Sequence, residues 1–440
     1  MLKFKKLLSI SLSCLVITGL VGCGNSATST STNTSSKKVS IKFFSNLPDR
    51  ANGQGKLEQT IIDNYTKENP NVKVTIEALQ DEPYKQKFTT YAASNSIPDL
   101  FMVWGQPSFF GPIMKNGYVA ELKADDYKDY GFFNGSLDGF STNGKLYGLP
   151  RNTDFMVLYY NKALFDKYSV KLPTTYDEII QAAKTFRKNN IAPISMNGKD
   201  KWTMNILYQE LLIKESGDQK LMYDGLKDTT KLTSDPMFTK AAEDVKALMD
   251  VKGFQDSFVT ADYGAANNLF AQGKAAMYYM GSWEVGMDSN KDFSDEFKKN
   301  VDVMKFPVTS TGKGKDTDLA AWNGGGYAVS ANSKVKAEAI KLLKYMMKPE
   351  NWSKLGWQSG AVVPAQKYDQ FLTGKETNLQ KKLSAILTSS TSISGVTFND
   401  SLTPDFKTNS ENLAQEFFAG IKTGKQFLDE TGKAAVSAGK

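Results

Sequence analysis

Residues 39–104 read VSIKFFSNLPDRANGQGKLEQTIIDNYTKENPNVKVTIEALQDEPYKQKFTTYAASNSIPDLFMVW. Apolar residues alternate along 39–43 and 72–76, recur at helical spacing along 57–65 and 84–92, and run without a break over 100–104. Alternation is typical of a half-buried strand, whereas an unbroken run between turn residues suits a strand covered on both faces. The order is therefore β-α-β-α-β, which predicts an α/β protein with a parallel sheet and helices on its faces.

A second α/β region follows the first. Thr175 and Glu178 have the spacing of a capping box, which predicts that a helix starts just after Pro173. Further predicted segments are mostly helical structure over 203–273, a short buried strand over 275–280, a helix over 335–346, and helices without strong strand signals over 381–440. Because a body of about 400 residues is too long for one hydrophobic core, we expect two domains.

The N-terminus has the pattern of a secretory signal. Lysines at 3, 5 and 6 precede an apolar segment over 7–20, and Cys23 follows small residues. We expect residues 1–22 to be a signal peptide. Residues 23–38 would form a polar, disordered tether, because their Ser/Thr/Asn-rich composition cannot bury apolar surface. No other apolar run is long enough for a transmembrane helix. An ordinary signal peptide with a chance cysteine is the alternative.

Composition excludes several kinds of chemistry. The chain has no histidine, so Ser-His-Asp and Cys-His catalysis and His-ligated zinc are impossible. Both cysteines, Cys14 and Cys23, lie in the N-terminal segment, so the body has no thiolate site and no disulfide. A Walker phosphate loop is absent. The net charge of +7 is spread without a dense basic block, so we expect no nucleic acid partner. Without histidine or thiolate ligands we also expect no metal, and no motif indicates a cofactor.

Tryptophans stand beside polar residues at predicted strand ends. Trp104 follows one strand, Trp283 and Glu284 follow another, and Trp322 precedes a third. Ligands of open parallel sheets bind beyond the carboxyl ends of strands. An indole covers the CH face of a sugar ring, and carboxylates or amides bind its hydroxyls. This pattern favours a carbohydrate site, although core packing is the alternative for each single tryptophan.

Five segments in this order resemble the family 1 extracellular solute-binding proteins, the carbohydrate-binding lipoproteins of ABC importers. The segments are FFSNLPDRANGQGKLEQ (43–59), IPDLFMVW (97–104), GKLYGLPRNTDFMVLYYNKALF (144–165), LFAQGKAAMYYMGSWEVG (269–286) and AAWNGGGYAVSANS (320–333). The resemblance implies a two-lobed α/β fold with a hinge and an interlobe cleft. One lobe would hold 39–149 and 305–350, and the other 150–304 and 351–440.

The resemblance also implies site residues. Carried over segment by segment, the ligand contacts are Asn46, Asp49, Arg50, Glu82, Trp104, Asp154, Trp283, Glu284, Trp322 and Gly324, with Tyr84 as an addition. Cys23 resembles the lipidated cysteine of a lipobox, which would carry palmitate. We expect no catalytic residues and no metal ligands.

The sequence therefore predicts a protein that binds a mono- or oligosaccharide, with an oligosaccharide favoured, and delivers it to the permease subunits of an ABC importer. It would be a monomer, not an enzyme, held by its lipid on the extracellular face of the cell membrane. The alternative is a surface-anchored glycoside hydrolase, with Asp154 and Glu284 as acid and base. A structural adhesin would need long repeats, which the sequence lacks.

Overall fold

The computed structural model describes residues 38–439. The predicted signal peptide, Cys23 and the tether up to residue 37 lie outside the described residues. The strands are β1 (Val39–Ser45), β2 (Val72–Ala78), β3 (Leu100–Trp104), β4 (Ser141–Thr142), β5 (Lys145–Leu146), β6 (Leu149–Pro150), β7 (Thr153–Asn161), β8 (Ala192–Ser195), β9 (Ala275–Gly281), β10 (Val301–Met304), β11 (Asp318–Asn323), β12 (Gly325–Val329) and β13 (Ser392–Gly395).

Helices connect and cover these strands. The α-helices are α1 (Gly53–Glu68), α2 (Asp81–Ala93), α3 (Phe110–Lys115), α4 (Lys162–Lys167), α5 (Tyr176–Lys188), α6 (Trp202–Ser216), α7 (Leu221–Lys227), α8 (Lys231–Ser234), α9 (Pro236–Asp250), α10 (Tyr263–Ala271), α11 (Asp295–Asn300), α12 (Lys336–Met347), α13 (Leu355–Gln358), α14 (Asn378–Thr388), α15 (Pro404–Phe418) and α16 (Gly424–Ala438). Within residues 38–439, none of these helices has the length and apolar character needed to cross a bilayer.

The first lobe is built on a five-stranded sheet in the order β2-β1-β3-β12-β6. β1 pairs in parallel with β2 and β3, and β12 joins antiparallel to β3. The predicted β-α-β-α-β order is thus confirmed for β1 to β3. α1 and α12 pack with this sheet around a core that includes Phe101, Ile61 and Leu343.

The second lobe is built on a sheet in the order β13-β11-β7-β9-β8. β10 pairs antiparallel with the C-terminal part of β7. β7 and β9 are buried along almost their whole lengths. Side chains of β7 alternate between two cores, with Leu158 on one face and Val157 on the other. A strand covered on both faces is apolar throughout, as β7 is.

The predicted capping box is confirmed at the start of α5. The Thr175 hydroxyl accepts the amide of Glu178 at 3.3 Å, and the Glu178 carboxylate accepts the amide of Thr175 at 3.1 Å. Two of the orphan donors at the helix start are satisfied in this way. α5 then packs beside β8 in the second lobe.

The chain crosses between the lobes at three places. It leaves the first sheet between β6 and β7, returns at Gly324 between β11 and β12, and leaves again after α12. The predicted first-lobe range 305–350 is therefore divided, because β11 pairs with β7 in the second sheet. Trp352, expected in the second lobe, packs in the first core. Crossing segments that lie side by side are the arrangement expected of a hinge.

Candidate functional site

The first wall of the site lies where β1 ends and α2 begins. Asn46 follows β1 and is only 6% exposed. Its amide nitrogen donates to Asp81 at 2.8 Å, and its amide oxygen accepts from Arg151 at 2.9 Å. Burial raises the pKa of the Asp81 carboxyl, opposed by Lys85 and by the Asn46 hydrogen bond. The wall therefore presents a carboxyl group in a fixed orientation.

Trp104 and Glu82 belong to the same wall. Trp104 ends β3, is partly exposed, and meets Tyr84 and Phe109 edge-on with ring centroids 5.6 and 5.1 Å apart. The Lys85 ammonium lies 4.9 Å from the Trp104 ring centroid and pairs with Glu82 at 2.6 Å. An indole and a carboxylate are thus neighbours at this rim.

The opposite wall, in the second lobe, is aromatic. Trp283 lies in the turn after β9, and Trp322 lies ahead of β12 as predicted, within β11, a strand that the sequence analysis did not identify. Their ring centroids are 6.1 Å apart, and Trp202 at the start of α6 is 5.9 Å from Trp283. Gly281 lets Trp283 fold back against the strand, because a side chain there would collide with the indole. These tryptophans form one contiguous aromatic cluster, in which Trp322 is 6% exposed and Trp202 and Trp283 are partly exposed.

Asp154 stands next to this cluster, because it pairs with Trp322 in register across β7 and β11. It is 6% exposed and accepts hydrogen bonds from the Asn152 side chain and the Gly325 amide. Burial raises its pKa to about 7, against the pull of Arg151. Gly324 packs so closely on this carboxylate that any side chain at that position would collide with it.

Glu284 is the second carboxyl group of the aromatic wall. It follows Trp283 directly and accepts hydrogen bonds from the Tyr263 hydroxyl and, at 3.1 Å, from the Asn267 amide. Burial raises its pKa to about 7, and the two hydrogen bonds oppose that rise. A carboxyl group near its pKa at neutrality can accept or donate a hydrogen bond to a hydroxyl.

The two walls face each other across the lobes. Burial is the main reason that the pKa of Asp154 is raised, and the negative charge of Asp81 in the first lobe raises it further. Glu82 likewise adds to the raised pKa of Asp200 in the second lobe, where burial again dominates. Indole faces and carboxyl groups therefore line the same gap. Such a gap can hold a ligand that has flat apolar faces and several hydroxyls.

Three predicted contacts are engaged elsewhere. Asp49 is exposed, and its carboxylate accepts the amides of Ala51 and Asn52 ahead of α1. Arg50 pairs with Glu58, which is fully buried and needs a cation. Tyr84 lies in the first core, donates to the Met102 carbonyl at 2.5 Å, and stacks on Phe44. Local turn formation and core packing explain these positions.

Sequence reasoning missed several residues of the site. They are Asp81, Arg151, Asn152, Trp202, Tyr263 and Asn267. Asp81 carried a signal, since it opens the helix after β2 beside the predicted Glu82. Tyr263 and Asn267 carried none, because α10 reaches Glu284 only through tertiary packing. Within residues 38–439, no group of His, Cys, Asp and Glu side chains is arranged to hold a metal ion.

Comparison with known proteins identifies the family. The Bacterial extracellular solute-binding protein family matches residues 50–351. The chain is 27% identical over 336 residues to the multiple sugar-binding protein of Streptococcus mutans, covering 74% of each chain. It is 27% identical over 351 residues to the melibiose/raffinose/stachyose-binding protein of Bacillus subtilis, covering 77% of this chain and 76% of the relative.

A solved structure from work on xylan utilization by the thermophilic bacterium Caldanaerobius polysaccharolyticus superimposes with a TM-score of 0.81. It is 30% identical, and the match covers 90% of this chain and 99% of that chain. The two-lobed fold and the extended sequence match lead to one conclusion. This chain belongs to the bacterial extracellular solute-binding protein family.

Proposed function

We propose that this protein binds a carbohydrate, with an oligosaccharide favoured, between its two lobes and delivers it to the permease subunits of an ABC importer. The observation that carries the proposal is the Trp283–Trp322 indole pair, flanked by the carboxyl groups of Asp154 and Glu284. Relatives named for multiple sugars and for melibiose, raffinose and stachyose support the same ligand class.

The chemistry of the gap suits a neutral sugar. A pyranose ring offers apolar CH patches that pack on indole faces, and its rim carries hydroxyls. Asp81, Asp154 and Glu284 provide acceptors for those hydroxyls, and Asn46 and Arg151 hold part of the set in place. Because carboxyl groups dominate the lining, an anionic sugar would be repelled. Closing the lobes around the solute would then stabilise the state that a permease recognises.

Isothermal titration calorimetry tests the proposal. Melibiose, raffinose, stachyose and xylo-oligosaccharides form the panel, with a tripeptide as the matched control. We expect one site per chain, saturable binding to at least one sugar, and no heat with the peptide. Binding to the peptide but to no sugar would contradict the carbohydrate assignment.

We further propose that the protein has no catalytic activity of its own. Proteins of this family bind substrates, and Glu284 is tied to Tyr263 and Asn267. Incubation with a fluorescently labelled oligosaccharide should leave the label on the intact sugar. Cleavage that disappears in Glu284→Gln would instead favour the glycoside hydrolase alternative.

Membrane attachment is part of the proposal. Cys23 would be acylated and would hold a monomeric body on the extracellular side. Stable anchoring needs more than one acyl chain, so we expect several at this end of the protein. In cells labelled with radioactive palmitate, we expect the native protein to carry label in the membrane fraction. Cys23→Ala should be unlabelled and released or unprocessed, whereas Cys14→Ala should keep the label. Retention of Cys23→Ala without lipid would contradict the anchor.

A further inference from the structure

The backbone of Arg151 joins all three interlobe crossings. This residue lies between β6 and β7, where the chain first leaves the first lobe. Its amide donates to the Gly325 carbonyl at 2.9 Å. Its carbonyl accepts the Trp352 indole N–H at 2.6 Å and the Ala365 amide at 3.4 Å. The three segments that pass between the lobes therefore meet at one residue.

The side chain of Arg151 reaches the solute site by two short relays. Nη1 donates to the Asn46 amide oxygen at 2.9 Å, and Nε donates to the Asn152 amide oxygen at 3.2 Å. Asn46 in turn donates to Asp81 at 2.8 Å, and Asn152 donates to Asp154. Arg151 is 6% exposed, so these contacts are shielded from competing water.

Only an arginine fits this arrangement. Its guanidinium is permanently charged, carries donors in a rigid plane, and has no acceptor. Because it can only donate, the amides of Asn46 and Asn152 must turn their oxygens towards it. Their N–H groups are then directed at Asp81 and Asp154. A lysine would keep the charge but could not hold two acceptors in the same plane.

We propose that Arg151 is a positioning residue of the solute site, which orients the carboxyl groups of Asp81 and Asp154 and ties that orientation to the interlobe crossings. This inference rests on the proposed function. Arg151 donates its hydrogen bonds to the two amides and acts on the Asp154 carboxyl group by its charge. Nothing in the family match or in the names of the relatives assigns it a role.

The charges around the relays determine what removal of Arg151 does. Asp154 faces Arg151, Asp81, the Asn152 amide and the Gly325 N–H. Asp81 faces Lys85, Asn46, Glu82 and Arg151. Arg151 also faces Tyr327 and Glu58. Without the guanidinium, Asp154 loses the largest of the effects that lower its pKa, so burial should raise that pKa further.

The test compares Arg151→Met, Arg151→Lys and Arg187→Met. Arg187 is the matched control, because its side chain binds the carbonyls of Lys252 and Phe254 at the second-lobe surface. Thermal unfolding reports on folding of each variant. Two readouts follow: an NMR titration of the Asp154 carboxyl carbon in the ligand-free protein, and calorimetry with raffinose and stachyose on either side of neutrality.

We expect Arg151→Met to raise the pKa of Asp154 and to weaken sugar binding by roughly tenfold or more, as the loss of charged hydrogen bonds predicts. The loss should be largest at and just above neutrality, where Asp154 is ionised in the native protein but still protonated in the variant. In Arg151→Lys, the pKa of Asp154 should stay close to its native value, whereas sugar affinity should be only partly retained. Arg187→Met should change neither.

Two failures are distinguishable. An Asp154 titration that is unchanged in Arg151→Met, or an affinity loss equal to that of Arg187→Met, would overturn the positioning role while the native protein still bound sugar. Failure of the native protein to bind either sugar would contradict the proposed function, and the inference with it. If Arg151→Met does not fold, Arg151→Lys provides the test. Full native affinity in that variant would overturn the role of the planar guanidinium.

Discussion

Two carboxyl groups of the cleft, Asp154 and Glu284, have pKa values raised to about 7 because they are buried beside indoles. Low dielectric surroundings disfavour the charged form, and the local hydrogen bonds only partly compensate. Each group can therefore exchange a proton near neutrality. Solute binding should depend on pH in a range where a surface carboxylate would be fully ionised.

Glu284→Gln provides a direct test at the residue scale. The pKa of Glu284 rises from 4.5 to about 7 on folding, so the folded state takes up a proton there and loses stability as pH increases through about 7. The variant, which stays neutral, should be more stable than the native protein above neutrality by about 1–3 kcal/mol. The difference in free energy of unfolding should vanish at pH values below those at which an ordinary carboxyl group titrates. Urea denaturation across a pH series measures it, with the exposed Glu243→Gln as control.

Trp283→Ala tests the aromatic wall. Trp283 is partly exposed, so its loss should cost little stability compared with a fully buried tryptophan such as Trp357. We expect sugar affinity to fall by about tenfold or more, because the removed ring provides a large stacking surface. Calorimetry measures the loss, and Tyr223→Ala, an exposed aromatic on α7, is the control. Equal affinity in native protein and Trp283→Ala would contradict sugar stacking there.

At the scale of elements, the β11–β12 connection has no room for a side chain at Gly324. Gly324 lies between two strands that belong to different lobes, and Gly105 donates to its carbonyl at 3.2 Å. A methyl group at Gly324 would collide with the Asp154 carboxylate. The glycine therefore serves both the crossing and the site.

We expect Gly324→Ala to weaken sugar binding because Asp154 must move. Gly111→Ala, which has open space around its Cα, should leave binding unchanged. Calorimetry with the sugar panel checks both variants. Native affinity in Gly324→Ala would mean that the position of Asp154 is unimportant for the solute.

Helix capping offers a prediction that separates folding from binding. Thr175→Ala removes the hydroxyl that caps α5, so the free energy of unfolding should fall by about 1 kcal/mol. Because α5 packs beside β8, away from the tryptophan wall, sugar affinity should be unchanged. Urea denaturation and calorimetry on the same sample distinguish the two effects. Lys184→Ala, at an exposed position on the same helix, is the control.

At the scale of the whole molecule, the lobes also touch directly. Ser108 of the first lobe donates its hydroxyl to Asp400 and its amide to the Asp400 carbonyl at 3.2 Å. Lys407 pairs with Asp400 and Glu411 on the second-lobe side at 3.0 and 2.6 Å. Contacts that exist only when the lobes approach favour the closed state.

Ser108→Ala should therefore shift the ligand-free protein towards an open form. Small-angle X-ray scattering should give a larger radius of gyration for the variant than for the native protein, and sugar affinity should drop a few-fold. Ser94→Ala, at an exposed helix end, should change neither quantity. Identical scattering curves for native protein and Ser108→Ala would contradict this role.

Several elements of the fold could be predicted locally. The alternation in β1 and β2 and the capping box of α5 are short-range patterns, and the structure confirms them. β7 was not predicted, because an unbroken apolar run does not distinguish a buried strand from a buried helix. β13 (SISG) has no strand pattern of its own and exists because β11 offers it a hydrogen-bonding edge.

The amino-acid sequence by itself determined the fold class, the family and the residue types of the site, since these depend on periodicity, composition and motif order. Only the tertiary structure decided which of those residues meet. Asp49 and Arg50 are adjacent and lie three and four residues after Asn46, yet a local turn and a buried carboxylate engage them elsewhere. Arg151 entered the site because three distant crossings converge on it, and convergence of segments far apart in the chain leaves no mark in local sequence.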